Sequence, residues 1–253
     1  MKKLVQLCIF LLFSGFLALA QNSETFFEQG NKLYAQENYG DALAQYQKIL
    51  DAGEESAELY FNMANAHYKL SNIAPSVYYY EKALQLNPGN KQIKDNLAFA
   101  QNMTIDAITP MPKNILSRWY SGILNAFSID GWAWIAVITL TLFTLLFLFY
   151  YFRGSTRSKR LLFIGSVTAL FVGCLAIFMA FQSQQQMKNT IYGIVFAPEA
   201  EVRNAPKMNG EAVFTLHEGT KLKVLENQED WKRIRIADGT EGWIIADDIR
   251  NLQ

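Results

Sequence analysis

The 253-residue sequence predicts a multidomain membrane protein, with an all-α helical repeat first, two transmembrane helices next and a small all-β barrel last. Three observations carry that fold class. A period of 34 residues runs through the N-terminal part, residues 132–152 and 161–181 hold no charge, and the C-terminal part breaks into short alternating apolar runs set apart by glycine turns. Composition narrows the function. The 23 basic and 23 acidic side chains balance, which excludes the strongly basic face of a general nucleic-acid binder. The two cysteines, Cys8 and Cys174, both sit in apolar runs, and His67 and His217 are the two histidines, so neither a disulfide framework nor a thiolate metal site is expected. With no glycine-rich phosphate loop and no His/Cys/Asp cluster, we expect no cofactor and a binding protein rather than an enzyme.

At the N-terminus Lys2 and Lys3 precede an apolar run that closes on Ala18-Leu19-Ala20. A charged start, an apolar stretch and small residues at minus three and minus one describe a signal peptide over residues 1–20; an uncleaved anchor is the alternative. The repeat follows over residues 23–106. Residues 24–51 laid on 58–85 share Glu24/Glu58, Phe27/Phe61, Asn31/Asn65, Tyr34/Tyr68, Asn38/Asn72, Tyr46/Tyr80, Lys48/Lys82 and Leu50/Leu84, and a half-copy follows in which Asn96, Ala98 and Ala100 match Asn62, Ala64 and Ala66. The units are 23–56 and 57–90, with 91–105 as a closing helix.

Gly30, Tyr39, Ala42 and Tyr46 in the first copy, and Ala64, Ser76, Tyr80, Ala83 and Pro88 in the second, alternate small and aromatic side chains. In this and in its period the segment resembles the tetratricopeptide repeat (TPR), a helix–turn–helix unit. Pro75 departs from the pattern, but proline is tolerated near a helix start. The resemblance implies a concave groove lined by the first helix of each unit, here Phe27, Asn31, Tyr34, Phe61, Asn62, Asn65, Tyr68 and Lys69. The likeness to TPRs that clamp a C-terminal carboxylate stops at Asn31 and Asn62, because the basic clamp positions hold Phe27, Gln92 and Asn96. A protein partner held by aromatics and amides is the expectation. With about two and a half units, and each unit relying on its neighbours, the module is expected to be marginal alone.

Residues 107–131 read as a linker with an amphipathic helix at 115–127. Ile115, Leu116, Trp119, Tyr120, Ile123, Leu124 and Phe127 share one face, opposite Ser117, Arg118, Ser121 and Asn125. Two readings stand: a helix lying in the membrane interface, or one packed on the soluble part. Each 21-residue run, 132–152 and 161–181, is long enough to cross a core of about 30 Å. The loop 153–160 between them carries Arg153, Arg157, Lys159 and Arg160 and no acid, which keeps it cytoplasmic and puts both flanking parts in the periplasm. Gly165, Ala169 and Gly173 form a small-residue stripe suited either to the other span or to a second copy.

After a polar linker over 182–189, five strands are expected within 190–253, at 191–196, 212–216, 221–225, 231–236 and 242–245. Val202-Arg203-Asn204-Ala205-Pro206, Leu216-His217-Glu218-Gly219-Thr220, Asp230-Trp231 and Asp238-Gly239 followed by Gly242-Trp243-Ile244 resemble a bacterial SH3-like (SH3b) domain. Trp231 and Trp243 are the candidates for its core or its groove, and some relatives bind cell-wall peptides. His67 is expected in the repeat core and His217 at the surface.

The order signal peptide, TPR, two spans, SH3-like domain resembles the BatE-like proteins of Bacteroides aerotolerance (Bat) operons. That resemblance implies an inner-membrane scaffold with protein partners, namely von Willebrand A-domain Bat proteins and a MoxR-type ATPase system, acting in oxidative or envelope stress. Membrane lipid is the other expected contact and nucleic acid is excluded. The alternative function is binding or sensing of peptidoglycan through the SH3-like domain.

Overall fold

A computed structural model describes residues 23–112 and 114–252. The signal-peptide reading over 1–20 lies outside them. The first helix, α1, covers residues 23–35 of this part. It is followed by α2 (Tyr39–Asp51), α3 (Ala57–Lys69), α4 (Ile73–Leu86) and α5 (Lys91–Gln101). The 34-residue period is repeated bond for bond in the turns. Asn38 N–H donates to Leu33 O and Asn72 N–H to His67 O, while Glu37 N–H reaches Tyr34 O and Ser71 N–H reaches Tyr68 O. Glu37 and Ser71, one period apart, both take positive φ, at 63° and 57°. Such a left-handed residue closes the carbonyls of a helix end and turns the chain back into an antiparallel partner. Pro75 falls in the first turn of α4, where its missing N–H would have had no helical acceptor.

A shorter helix, α6 (Ile115–Leu124), leads into the long apolar helices α7 (Ile129–Phe152) and α8 (Thr156–Asn189), which pair as a hairpin. Both are long and apolar enough to cross a membrane, and little of their apolar surface is buried in the protein. Their seam is the small-residue face of α8: Ser166, Ala169, Gly173 and Ala176 are buried, which assigns the stripe to contact within the chain. The basic segment is mostly helical here, leaving residues 153–155 as the connection. The polar stretch 182–189, expected as a linker, instead continues α8, since it holds no Gly or Pro to stop a helix.

The remaining chain forms β1 (Ile191–Val195), β2 (Glu199–Arg203), β3 (Ala212–His217), β4 (Lys221–Gln228), β5 (Trp231–Arg235), β6 (Glu241–Ile245) and β7 (Ile249–Asn251). They pair antiparallel in the order β3-β2-β6-β5-β4-β1-β7. Five strands were expected and seven form. The additions are β2, whose buried Ala200 and Val202 alternate with charged neighbours, and the three-residue β7 behind a 3-10 turn. The core of this module comprises Val195, Val202, Leu216, Leu222, Ile234, Ile244 and their neighbours.

Candidate protein-binding surface

The asparagines expected in the groove are first of all struts. Asn31 Oδ1 accepts from Tyr46 Oη at 2.8 Å and from Asn62 Nδ2 at 2.9 Å. One period on, Asn65 Oδ1 accepts from Tyr80 Oη at 2.6 Å and from Asn96 Nδ2 at 3.1 Å. Each carbonyl oxygen thereby fills both lone pairs, tying its helix to the second helix of its own unit and to the first helix of the next. Burial pushes the Tyr46 phenol up to about 12, with the nearby Tyr34 adding to the rise and the Asn62 bond opposing it, so the phenol stays a protonated donor. For a ligand, Asn31 and Asn65 have only their amide N–H groups left.

The aromatic positions repeat as well. Phe27 meets the Tyr46 ring at 6.0 Å and Phe61 the Tyr80 ring at 5.9 Å, while Tyr34 sets its ring edge-on to Tyr39 at 5.1 Å. Phe27, Tyr34, Phe61 and Tyr68 are all half-buried, each with part of its ring in the core and part open, and Lys69 is exposed. The ladder ends where the next asparagine would stand: that position is Phe99, exposed on α5.

The barrel docks along α4. Ile194 and Leu252 share one buried cluster with Val77, Tyr80, Ile93 and Leu97. Tyr78 meets Phe196 edge-on at 5.8 Å, and Lys221 Nζ lies 2.6 Å from the buried Glu81 carboxylate. Gly219, at φ +85°, turns the chain into β4; a Cβ there would lie 2.7 Å from Thr104 Cγ2 and 2.9 Å from Ile73 Cγ2, so both the turn and the docking exclude a side chain.

Sequence reading missed the residue that locks this junction. Asp106 accepts from His217 N–H at 2.7 Å and from Thr220 Oγ1 at 2.5 Å, and its other oxygen lies 2.7 Å from His217 Nδ1. Burial by itself would raise the carboxyl, but the Thr220 hydroxyl and the two His217 groups together hold it below its ordinary value. His217, expected at the open surface, is half-buried against Asp106. Beyond it the linker runs along the barrel: Ile108 packs on the barrel core and Met111 N–H donates to Ala237 O at 3.0 Å, leaving a cleft of about 700 Å³ beside it. No sequence signal marks Asp106, because a single acid in a linker is ordinary.

His67 is half-buried in the repeat and stacks on Tyr79 at 5.5 Å. Trp231 is buried, and Trp243 points away from the core residues Gly242 and Ile244 that flank it, between Arg203 and Arg233 on the neighbouring strands. Neither tryptophan belongs to the barrel's main buried cluster. Glu54-Glu55 is a loop pair in which Glu55 accepts from Tyr60 Oη at 2.6 Å.

Comparison with known families agrees with this division. No curated protein matches the chain. Residues 57–90, which hold α3 and α4, match the family model of the tetratricopeptide repeat. Residues 198–250, from just before β2 into β7, match that of the bacterial SH3 domain.

Proposed function

We propose that the protein is a non-catalytic scaffold of a bacterial inner membrane, in which α7 and α8 span the bilayer and the docked TPR and SH3-like modules together present the aromatic groove of α1, α3 and α5 to a protein partner in the periplasm. The single observation that carries this reading is where the barrel docks: Ile194 and Leu252 pack with Val77 and Tyr80 of α4, while Phe27, Tyr34, Phe61 and Tyr68 stay half-open. Half-open aromatic rings on a rigid frame are common anchors of protein interfaces. The resemblance to BatE-like proteins implies the partners: von Willebrand A-domain Bat proteins with a MoxR-type ATPase, in envelope or oxidative stress. The experiment is co-purification from cells carrying Tyr34→Ala with Tyr68→Ala in the full chain, with circular dichroism to confirm helix content. Loss of those partners supports the reading, and unchanged capture by a folded variant refutes it. Peptidoglycan binding is the second reading, favoured by Trp243, which is half-buried between Arg203 and Arg233 on the neighbouring strands. Sedimentation of the full chain with purified peptidoglycan, wild type against Trp243→Ala, tests it.

A further inference from the structure

The ten residues of α6 extend about 15 Å, too short to cross a bilayer. Apart from Leu124 at its end, its apolar face is nevertheless bare: Leu116 is 83% exposed, Trp119 72%, Ile115 71% and Ile123 50%. Neither the repeat nor the barrel covers it, so the reading that packs it on the soluble part fails.

Its position identifies the occupant. Leu124 is buried, its carbonyl accepts from Trp132 Nε1 at 3.1 Å, and Phe127 stands edge-on to Trp132 at 5.1 Å. Trp132 clusters with Ala176, Met179 and Ala180, just where the apolar run of α8 closes at Phe181. Asn125 and Ser183 line one cleft at the same level. On the other side Gly89 comes so near that a Cβ on it would stand 2.6 Å from Ala126 O. The end of α6 is thus pinned where both long helices leave their apolar stretch, between the hairpin and the α4–α5 turn of the repeat. The bare face continues onto Trp134, Val137 and Ile138 of α7, which are exposed as well. Trp119 and Tyr120 each join an apolar ring to a polar tip, the combination that settles at a lipid headgroup boundary.

We infer that α6 lies flat in the leaflet nearest the two modules, with its apolar face among the lipids and Ser117, Arg118 and Ser121 towards water, and that it sets the height of the TPR groove above the bilayer. This rests on α7 and α8 being membrane spans. The test uses the full chain with Cys8→Ser and Cys174→Ser, carrying Leu116→Cys, Arg118→Cys or Leu142→Cys, each labelled with a polarity-sensitive dye. The chains are reconstituted in vesicles of phosphatidylethanolamine and phosphatidylglycerol containing nitroxide lipids. The label at 116 should emit to the blue and lose most of its intensity to a nitroxide just below the headgroups. The label at 142 should be quenched by a nitroxide deep in the acyl chains, and that at 118 should remain red and unquenched. Quenching at 142 with water-like emission at 116 overturns the inference alone. Blue but unquenched emission at 116 overturns it too, by showing a protein or a second copy on the face. Loss of quenching at both 116 and 142 overturns the membrane spans themselves.

Discussion

Replacing Asp106 with alanine should unlatch the barrel from the linker without unfolding either module. The carboxylate takes two oxygen-directed bonds from His217 N–H and Thr220 Oγ1 and lies against His217 Nδ1, with its side chain only 11% exposed. A hydrogen bond to a charged group contributes about 1.5–3 kcal/mol, and bonds that share one acceptor do not add fully, so the latch is worth about 2–4 kcal/mol. At about 1.4 kcal/mol per factor of ten, local opening of the β3–β4 turn should become between about 30-fold and about 700-fold more frequent. Amide hydrogen exchange of the full chain in lipid nanodiscs, read by mass spectrometry on peptides spanning residues 215–221, measures that opening directly. Exchange in the β5–β6 hairpin should stay as in the wild type, because its ladder does not involve Asp106. Acid should mimic the substitution. The folded carboxyl lies below its reference of 3.8, so its contribution is complete above that pH and is lost as the pH falls through the folded value. Unchanged exchange at 215–221 in the variant would refute the latch, and equal acceleration everywhere would show that Asp106 supports the whole fold instead.

The ion pair at the same junction should respond asymmetrically. Lys221→Met leaves the Glu81 carboxylate, 9% exposed, without its cation, at about 1–3 kcal/mol once solvent access to Lys221 is allowed for, whereas Glu81→Met leaves a lysine that keeps water and the Tyr192 ring at 4.7 Å. Thermal melts should therefore rank Lys221→Met as the less stable, and the reverse order would count against this account. His67 gives a second pH dependence. Burial lowers its pKa from 6.5 to about 4, so the folded chain disfavours the proton, and its contribution is present above pH 6.5 and is lost as the pH falls towards 4. His67→Phe, which keeps a ring on Tyr79, should flatten the drop in melting temperature between about pH 7 and about pH 5, and an unchanged drop would assign it to other groups.

The sequence showed most clearly what recurs. Asn31/Asn65, Phe27/Phe61 and Tyr46/Tyr80 stand at one spacing because each triad makes the same bonds in each unit. It showed less of what each recurring residue does. Asn31 and Asn65 read as ligand contacts because they recur on the first helix of each unit, whereas in the fold Tyr46, Asn62, Tyr80 and Asn96 donate to their oxygens. β2 escaped because three of its five residues, Glu199, Glu201 and Arg203, are charged, so only Ala200 and Val202 mark the strand, and β7 is too short to show a period. Asp106 and His217 are 111 residues apart, and no local pattern links positions so distant.

The docked barrel also answers a difficulty posed by the repeat itself. Two and a half units offer few interfaces between neighbours, and a solenoid draws much of its stability from such interfaces. The ladder of asparagines stops at Phe99, so no further unit extends it. What a third unit would have supplied along α4 and α5 comes instead from Ile194 and Leu252, buried in the same cluster as Val77, Ile93 and Leu97. Fully burying one such aliphatic side chain contributes about 1.5–3 kcal/mol, so two of them match a large fraction of the about 5–15 kcal/mol that holds an ordinary domain folded. The barrel thus caps the repeat along α4 and α5, while Phe27 and Tyr34 of α1 lie outside the cluster that it joins. A partner seated on Tyr34 and Tyr68 would then meet a surface stiffened from behind by a module lying more than a hundred residues further along the chain.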